Sequence, residues 1–155
     1  MHGFEKLSTL RKLETLNLEW NEFDYSILPS LSALRSLKML NLRANKIGGL
    51  FPPHELAYFG NLERLDLSYN QFNDIQGCES LSRLQKLETL YLGVNQFNNR
   101  IILCLSSLIS LKNLSLYGNN LGDLFPAREL AVLKNLETLD LSLTELSSLT
   151  MQGTT

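Results

Sequence analysis

The stretch Asn61-Leu-Glu-Arg-Leu-Asp-Leu-Ser-Tyr-Asn-Gln-Phe72 decides the fold, because its spacing of leucines around one asparagine recurs along the whole chain. The pattern L-x-x-L-x-L-x-x-N-x-[L/I/F] occurs five times, and a sixth copy has Thr144 in place of the asparagine. Successive copies start 24 or 25 residues apart. We number these units 1 to 6 by their opening residues, which are Leu13, Leu37, Leu62, Leu87, Leu111 and Leu136.

A repeat of this length with leucine at these offsets predicts a leucine-rich repeat solenoid. Within each unit the L-x-L segment alternates apolar and polar residues, which indicates a short strand with one buried face. Stacked units would pair these strands in parallel. We therefore expect one α/β domain over residues 1–155, a right-handed solenoid with a parallel β-sheet on its concave face and 3₁₀, short helical or irregular turns on its convex face. The expected strands lie near residues 14–19, 38–43, 63–68, 88–93, 112–117 and 137–142.

The asparagine that ends each strand motif has a structural role in this interpretation. Its amide can donate to and accept from backbone groups that the turn would otherwise bury without partners. Five units carry it, at Asn21, Asn45, Asn70, Asn95 and Asn119, whereas Thr144 takes the place in unit 6. We expect a ladder of asparagines through the core, with the weakest rung at Thr144.

A longer repeat overlies the short one. Residues 13–68 align with residues 87–142 at an offset of 74, which equals three units, and more than half of the aligned positions are identical. Growth by copying a three-unit block is expected where each repeat contacts only its neighbours. Agreement between the copies therefore indicates shared scaffold.

Composition and the ends of the sequence limit which partners and which cellular location we expect. A net charge of −2 argues against a nucleic-acid partner held by bulk electrostatics. The longest apolar run, Ile101–Leu105, is far shorter than the roughly 20 residues that span a bilayer, and the first residues contain no apolar signal region. Neither end shows the polar cap that solenoids need. We expect part of a larger ectodomain or a truncated relative of one.

No catalytic, metal or cofactor site is predicted. His54-Glu55 looks like the start of H-E-x-x-H, but the second histidine is absent, and the copied block has Arg128-Glu129 there. The carboxylates are scattered along the outer turns, so no convergent set of catalytic groups is visible. We expect a protein that is not an enzyme.

The two cysteines and one glycosylation sequon leave alternatives open. Cys78 and Cys104 lie nine and seven residues before Leu87 and Leu111, and this unequal offset favours two free thiols over a disulfide. The sequon at Asn113 places a possible glycan on the concave face.

The strand motif, the asparagine series and the crossings Leu50-Phe51-Pro52 and Leu124-Phe125-Pro126 resemble those of plant leucine-rich repeat receptor-like proteins. The resemblance covers residues from about Phe4 to Leu149. It implies a place at the extracellular face of the plasma membrane, a peptide, protein or glycan ligand, and signalling through a partner receptor kinase. Receptor kinases and secreted inhibitors share these repeats, so a scaffold or inhibitor without a signalling role is the alternative.

Outward positions of the strands supply the candidate ligand-binding residues. Arginine, tyrosine and tryptophan most often dominate recognition. We predict a concave patch, which we call the recognition patch, of Trp20, Arg43, Arg64, Tyr69, Tyr91 and Tyr117. The alternative is structural: Trp20 and Tyr69, which belong to a fourth, partly shielded column, would pack along the sheet edge. Arg43 and Arg64 would be solvated or would pair locally with Glu19 and Asp66.

Overall fold

The computed structural model describes residues 4–51 and 54–150. Within these residues, ten strands follow one another: β1 Thr15–Asn17, β2 Met39–Asn41, β3 Gly48–Phe51, β4 Arg64–Asp66, β5 Gln71–Ile75, β6 Thr89–Tyr91, β7 Asn113–Ser115, β8 Leu124–Pro126, β9 Thr138–Asp140 and β10 Ser148–Thr150. Four short α-helices and two 3₁₀ helices lie between them: α1 Phe4–Leu7, α2 Ile27–Leu31, η1 His54–Tyr58, η2 Cys78–Arg83, α3 Ile101–Leu105 and α4 Ala127–Leu130.

The six strand motifs form one parallel sheet in the order β1-β2-β4-β6-β7-β9. The register keeps the same motif position opposite itself throughout, from the Thr15–Met39 pair to the Asn113–Thr138 pair. Each strand is three residues long, at the centre of its predicted six-residue range. Backbone pairing continues beyond it, as when the Trp20 amide donates to the Arg43 carbonyl at 2.9 Å. The solenoid and its parallel sheet are confirmed.

The second apolar series of each unit forms the opposite layer. Helices α2, η1, η2, α3 and α4 pack successively against their neighbours, as the three-residue leucine spacing predicts. The leucines of the two layers meet in one continuous core, in which Leu37, Leu62, Leu87 and Leu111 are fully buried. Phe51, Phe72 and Phe97 extend this core, with the Phe72 and Phe97 rings stacked and their centroids 6.2 Å apart.

Two further two-stranded parallel sheets, β3–β5 and β8–β10, were not predicted. They begin at the crossings of units 2 and 5 that carry Leu50-Phe51 and Leu124-Phe125. Units 1 and 4 have a tight turn instead, because the side chain of Asp24 accepts from the Ser26 amide and that of Asn98 accepts from the Arg100 amide. These turns lead directly into α2 and α3. Units 1 and 4 therefore contribute no strand to the additional sheets, which join units 2 and 3 and units 5 and 6.

Cys78 and Cys104 form a disulfide, with a Cα–Cα distance of 5.1 Å, so the prediction of two free thiols is wrong. Offsets counted along the chain misled the prediction because the two convex segments have different helical geometry. η2 is a 3₁₀ helix and α3 is an α-helix, and their rises per residue differ by about 0.5 Å. Unequal offsets therefore bring the two sulfurs side by side.

Candidate ligand-binding face

The asparagines fix the end of each strand and so position the residues beside it. The Nδ2 group of Asn70 donates to the carbonyl of Leu67 in its own unit and to that of Leu42 in the preceding unit, while its Oδ1 accepts from the Ile47 amide. Asn45, Asn95 and Asn119 repeat this arrangement and are buried. Asn21 is exposed and donates only within unit 1. The Thr144 hydroxyl donates only to Leu141 of its own unit.

The residue before each asparagine has a positive φ. Trp20, Ala44 and Tyr69 each have φ 57°, and Val94 and Leu143 are close to that value, so only Gly118 takes the conformation without strain. This conformation turns the side chain out of the stack. Trp20 is 72% exposed, and the expectation that it is partly shielded is wrong. The leucine pattern gave no signal for these backbone angles.

Arg43 and Arg64 each lie over a tyrosine ring of the next unit. The Arg43 guanidinium carbon is 4.4 Å from the centroid of the Tyr69 ring, and that of Arg64 is 5.1 Å from the Tyr91 centroid. Such stacking holds the planar guanidinium while leaving donors on its edges. The sequence predicted these four residues but not that they would pair.

The alternative in which these arginines pair with Glu19 and Asp66 is not what the structure shows. Glu19 instead accepts from the side-chain amides of Asn17 and Asn41, and Asp66 accepts from the Ser68 amide. Within residues 4–51 and 54–150, the ion pairs join Lys38 to Glu14, Lys46 to Glu22 and Lys112 to Glu88, and neither arginine takes part. The two guanidiniums therefore carry positive charge on the concave face without a carboxylate partner among these residues.

An open depression of about 680 Å³ lies on this face. Its lining residues are Arg43, Ser68, Tyr69, Tyr91, Gly93, Asn113, Leu114, Ser115, Tyr117, Thr138, Leu139, Asp140 and Ser142. Four residues of the recognition patch, Arg43, Tyr69, Tyr91 and Tyr117, line it together. Arg64 adjoins it through the ring of Tyr91, and Trp20 lies outside the lining.

The part of the depression in units 5 and 6 is polar and was missed by the sequence argument. The Asn113 amide donates to the Thr89 hydroxyl at 3.0 Å, and Asn113 Oδ1 accepts from the Thr138 hydroxyl. Asp140 accepts from the amide and hydroxyl of Ser142, and these bonds lower the pKa of its carboxyl. The outward strand positions could have revealed this group, but arginine and aromatic residues alone were selected.

The geometry around Asn113 also bears on the possible glycan. Its Nδ2 atom, the atom to which a glycan would be attached, is occupied by the hydrogen bond to Thr89. Asn113 is half-buried between neighbouring strands at the floor of the depression. A glycan there would disrupt the cross-strand bond and fill part of the depression.

The convex side shows no arrangement suited to metal chemistry in the described residues. His54 is exposed in η1, and Glu55 accepts from the Tyr25 hydroxyl at 3.4 Å. Burial, together with this carboxylate, raises the pKa of Tyr25. No cluster of three or more metal-ligating side chains occurs within residues 4–51 and 54–150. No helix over the same residues is long and apolar enough to span a membrane.

Sequence comparisons agree with the fold. Residues 12–34 match the family model described as Leucine Rich Repeat, and residues 60–110 match the model described as Leucine Rich repeats (2 copies). Receptor-like protein 13 of Arabidopsis thaliana is 48% identical over 163 residues, covering 87% of this chain and 13% of the relative. Receptor-like protein 9a of the same plant is 47% identical over 73 residues, covering 47% of this chain and 8% of the relative.

Further similarities extend beyond the receptor-like proteins. Adenylate cyclase from Schizosaccharomyces pombe is 41% identical over 139 residues, covering 88% of this chain and 8% of the relative. The complex PEPR1-AtPEP1 superposes with a TM-score of 0.74 and 29% identity, over 92% of this chain and 20% of that one. The ectodomain of the Arabidopsis receptor kinase HAESA, in complex with an IDA peptide hormone ligand, superposes with a TM-score of 0.72 and 29% identity. The match covers 92% of this chain and 26% of that one.

Fold and sequence together define a leucine-rich repeat protein, and the chain belongs to that family. Its repeats are similar to those of plant receptor-like proteins, which confirms the resemblance drawn from its sequence. It spans only 8% to 13% of the length of the receptor-like proteins to which we compare it.

Proposed function

We propose that the chain is a recognition module that binds a peptide or an extended protein segment across its concave face. The observation that carries this proposal is the pair of guanidiniums stacked on Tyr69 and Tyr91 at the edge of the depression. They are held in place before any ligand arrives, so binding loses little side-chain entropy there. The N–H donors on the edges of both guanidiniums suit a carboxylate or a run of backbone carbonyls.

The size of the depression suits an extended segment. It runs from Arg43 in unit 2 to Ser142 in unit 6, across four strand spacings of about 4.8 Å each, or about 19 Å. About six residues in extended conformation cover that length. Tyr91 and Tyr117 offer apolar surface at the centre, and Thr138 and Asp140 offer acceptors at the far end. We therefore expect a ligand with an acidic group near Arg43 and a donor or cation near Asp140.

We further propose that this binding is not catalytic. A general acid or base working near neutral pH needs a pKa close to that pH. Hydrogen bonds from Ser142 shift the pKa of Asp140 in the opposite direction, downward, so that it serves as a fixed acceptor. Asp66 is likewise occupied by the Ser68 amide. The similarity to adenylate cyclase covers 8% of that protein and leaves this proposal unchanged.

A place at the cell surface is part of the same proposal. The relatives, which include a receptor-like protein and a receptor kinase ectodomain, support it. The Cys78–Cys104 disulfide supports it independently, because disulfides persist in oxidising compartments. Signalling would then pass through a partner kinase.

Selection of displayed peptides tests the function. A phage library of random peptides about twice the length of the six-residue span would be selected on the oxidised chain. The affinity of an enriched synthetic peptide would be measured by calorimetry against the double variant Arg43→Glu/Arg64→Glu. Two lost hot-spot contacts should weaken binding about thirtyfold or more.

The matched control is Arg83→Glu/Arg100→Glu, which makes the same change of net charge on the outer turns, where both residues are exposed. It should bind like the unmodified chain. Enrichment of no peptide, or equal losses in the two double variants, would overturn the proposal.

A further inference from the structure

The centre of the depression contains a glycine, Gly93, whose own backbone conformation does not require one. Gly93 follows β6 in unit 4, is buried, and belongs to the lining of the depression. Its φ lies outside the positive range in which Gly118 and the other turn glycines fall, so other residues can adopt its conformation. The reason for a glycine at this position therefore lies in its surroundings.

Tyr117 of unit 5 occupies the space that a side chain at position 93 would need. A Cβ atom placed on Gly93 would stand 3.2 Å from the Tyr117 carbonyl oxygen and 3.3 Å from the ring carbon Cδ1. The two backbones also approach closely: the Val94 amide donates to the Tyr117 carbonyl at 2.6 Å, whereas the equivalent bond from Tyr69 to Gly93 is 2.8 Å long. The ring of Tyr117 therefore leans back over unit 4, and Gly93 makes room for it.

The copied block shows the same scaffold with different side chains at both positions. At the offset of 74 residues, Glu19 corresponds to Gly93 and Arg43 corresponds to Tyr117. Arg43 extends forward to the ring of Tyr69 in unit 3, whereas Tyr117 leans back toward unit 4. A side chain at the preceding position thus accompanies the forward direction, and its absence accompanies the backward one.

Tyr117 also differs from the other tyrosines of the depression in what covers its ring. The rings of Tyr69 and Tyr91 carry the guanidiniums of Arg43 and Arg64. In the part of the chain that the structure describes, no cationic side chain and no other aromatic ring stacks on Tyr117. Its ring is therefore the aromatic surface of the depression that stays available to a ligand.

We propose that Gly93 and Tyr117 form a subsite for an aromatic side chain of the ligand, a proposal that rests on the concave-face function proposed above. Tyr117 supplies the stacking surface, and Gly93 is the positioning residue that lets its ring lie over unit 4. Offset or edge-to-face contact of two rings is favourable beyond the area that it buries. The guanidiniums of Arg43 and Arg64 oppose a ligand cation at this position, whereas a neutral ring meets no such repulsion.

The position of the subsite predicts a pattern in the ligand. Arg43 belongs to unit 2 and the Tyr117 ring leans over unit 4, so two strand spacings, or about 10 Å, separate them. About three residues in extended conformation cover that distance. We therefore expect the ligand to carry its acidic group about three residues from an aromatic residue.

Titration of the oxidised, isotopically labelled chain with N-acetyl-tryptophan amide tests the subsite without a peptide. The probe should shift the ring signals of Tyr117 in NMR spectra, and N-acetyl-leucine amide, which has no ring, should bind about threefold more weakly or worse. Tyr117→Phe keeps the ring and should retain the affinity for the tryptophan probe. Tyr117→Leu should weaken that affinity about threefold or more. Equal affinities of the two probes, or a Tyr117→Leu variant that binds like the unmodified chain, would overturn the proposal.

Gly93→Glu introduces the residue that the copied block carries at this position, and so tests the positioning role. A nuclear Overhauser contact between the Tyr117 ring protons and the Gly93 α protons should be present in the unmodified chain. Gly93→Glu should displace the ring and weaken binding of the uncharged tryptophan probe about threefold or more. The matched control is Gly60→Glu, at an exposed position where an added Cβ meets no atom within 4 Å, and it should bind like the unmodified chain. Absence of the Overhauser contact, or equal losses in the two variants, would contradict the role of Gly93.

Peptides from the selection separate the subsite from the function on which it rests. Enriched peptides should contain an aromatic residue and should lose affinity for Tyr117→Leu and Gly93→Glu. Peptides that depend on Arg43 and Arg64 but bind both of these variants at full strength would refute the subsite and leave the concave-face function standing. A failure to enrich any peptide, together with the expected behaviour of the tryptophan probe, would refute that function and leave the subsite standing.

Discussion

At the scale of single residues, the buried asparagines link each unit to the one before it. Asn70 satisfies two carbonyls and one amide in the core. Asn70→Ala would leave these three groups without partners, and each costs about 1–3 kcal/mol when buried and unpaired. We expect the free energy of unfolding to decrease by about 3 kcal/mol or more in urea titrations. Asn21→Ala, at the exposed end of the series, should cost less than about 1 kcal/mol.

Thr144 offers the reverse experiment. Its hydroxyl reaches only Leu141, and the next residue, Glu145, has a φ of 64° that its counterparts in the other units do not share. Thr144→Asn would supply an amide able to reach the Leu116 carbonyl of unit 5, as Asn119 reaches Leu92. We expect the free energy of unfolding, measured by thermal denaturation, to increase by about 1 kcal/mol. An unchanged or lower melting temperature would show that the last unit cannot adopt the ladder geometry.

The carboxyl of Asp140 gives a pH-dependent prediction. Hydrogen bonds from the hydroxyl and amide of Ser142 lower its pKa below the ordinary 3.8. A lowered pKa means that the ionised form is favoured in the folded chain, so its contribution is present above pH 3.8 and is lost as pH falls through the folded value. Ser142→Ala should move the pKa part of the way back up, as measured by NMR titration of the carboxyl carbon. A midpoint unchanged by this substitution would contradict the assigned cause.

At the scale of elements, the disulfide links η2 to α3 across two units. It closes a loop with a sequence separation of 26, for which loop entropy predicts about 3.5 kcal/mol of stabilisation. Cys78→Ser/Cys104→Ser should lower the free energy of unfolding by about this amount. A thiol-alkylation assay on the unreduced chain, unfolded in denaturant so that the buried Cys104 is accessible, should label neither sulfur. Labelling of both would return the two cysteines to the free state that the sequence predicted.

The sequence predicted some elements and not others, for reasons that lie in their periodicity. Leucine spacing predicts the strands and the convex turns directly, because burial alone determines both. The strands β3 and β8 depend on backbone pairing at the crossings of units 2 and 5. At the corresponding crossings of units 1 and 4, a single Asx turn at Asp24 or Asn98 takes the place of the strand. The arginine–tyrosine pairs join residues of adjacent units, and the geometry of the Arg43–Tyr69 pair depends on the positive φ at Tyr69, which no residue pattern encodes.

At the scale of the whole molecule, stacking converts a short motif into a surface. Because the register stays constant from β1 to β9, side chains from different units form straight columns. Four of the six residues of the recognition patch consequently line one depression, although the chain separates Arg43 from Tyr117 by three units. Sequence analysis could predict these columns and the outward positions of Asn113 and Thr138 within them, but not the hydrogen bond that joins these two side chains in the depression.

The most direct test of the account is to map a bound peptide on the oxidised chain by NMR. A peptide enriched by selection would be titrated into isotopically labelled protein, and changes in chemical shift would be followed for every amide. We predict that the changes concentrate on the concave columns around Arg43, Tyr69, Tyr91 and Tyr117, and leave α2, η1 and α3 unchanged. Changes confined to the convex helices would contradict the claim that this protein recognises its ligand through the concave face.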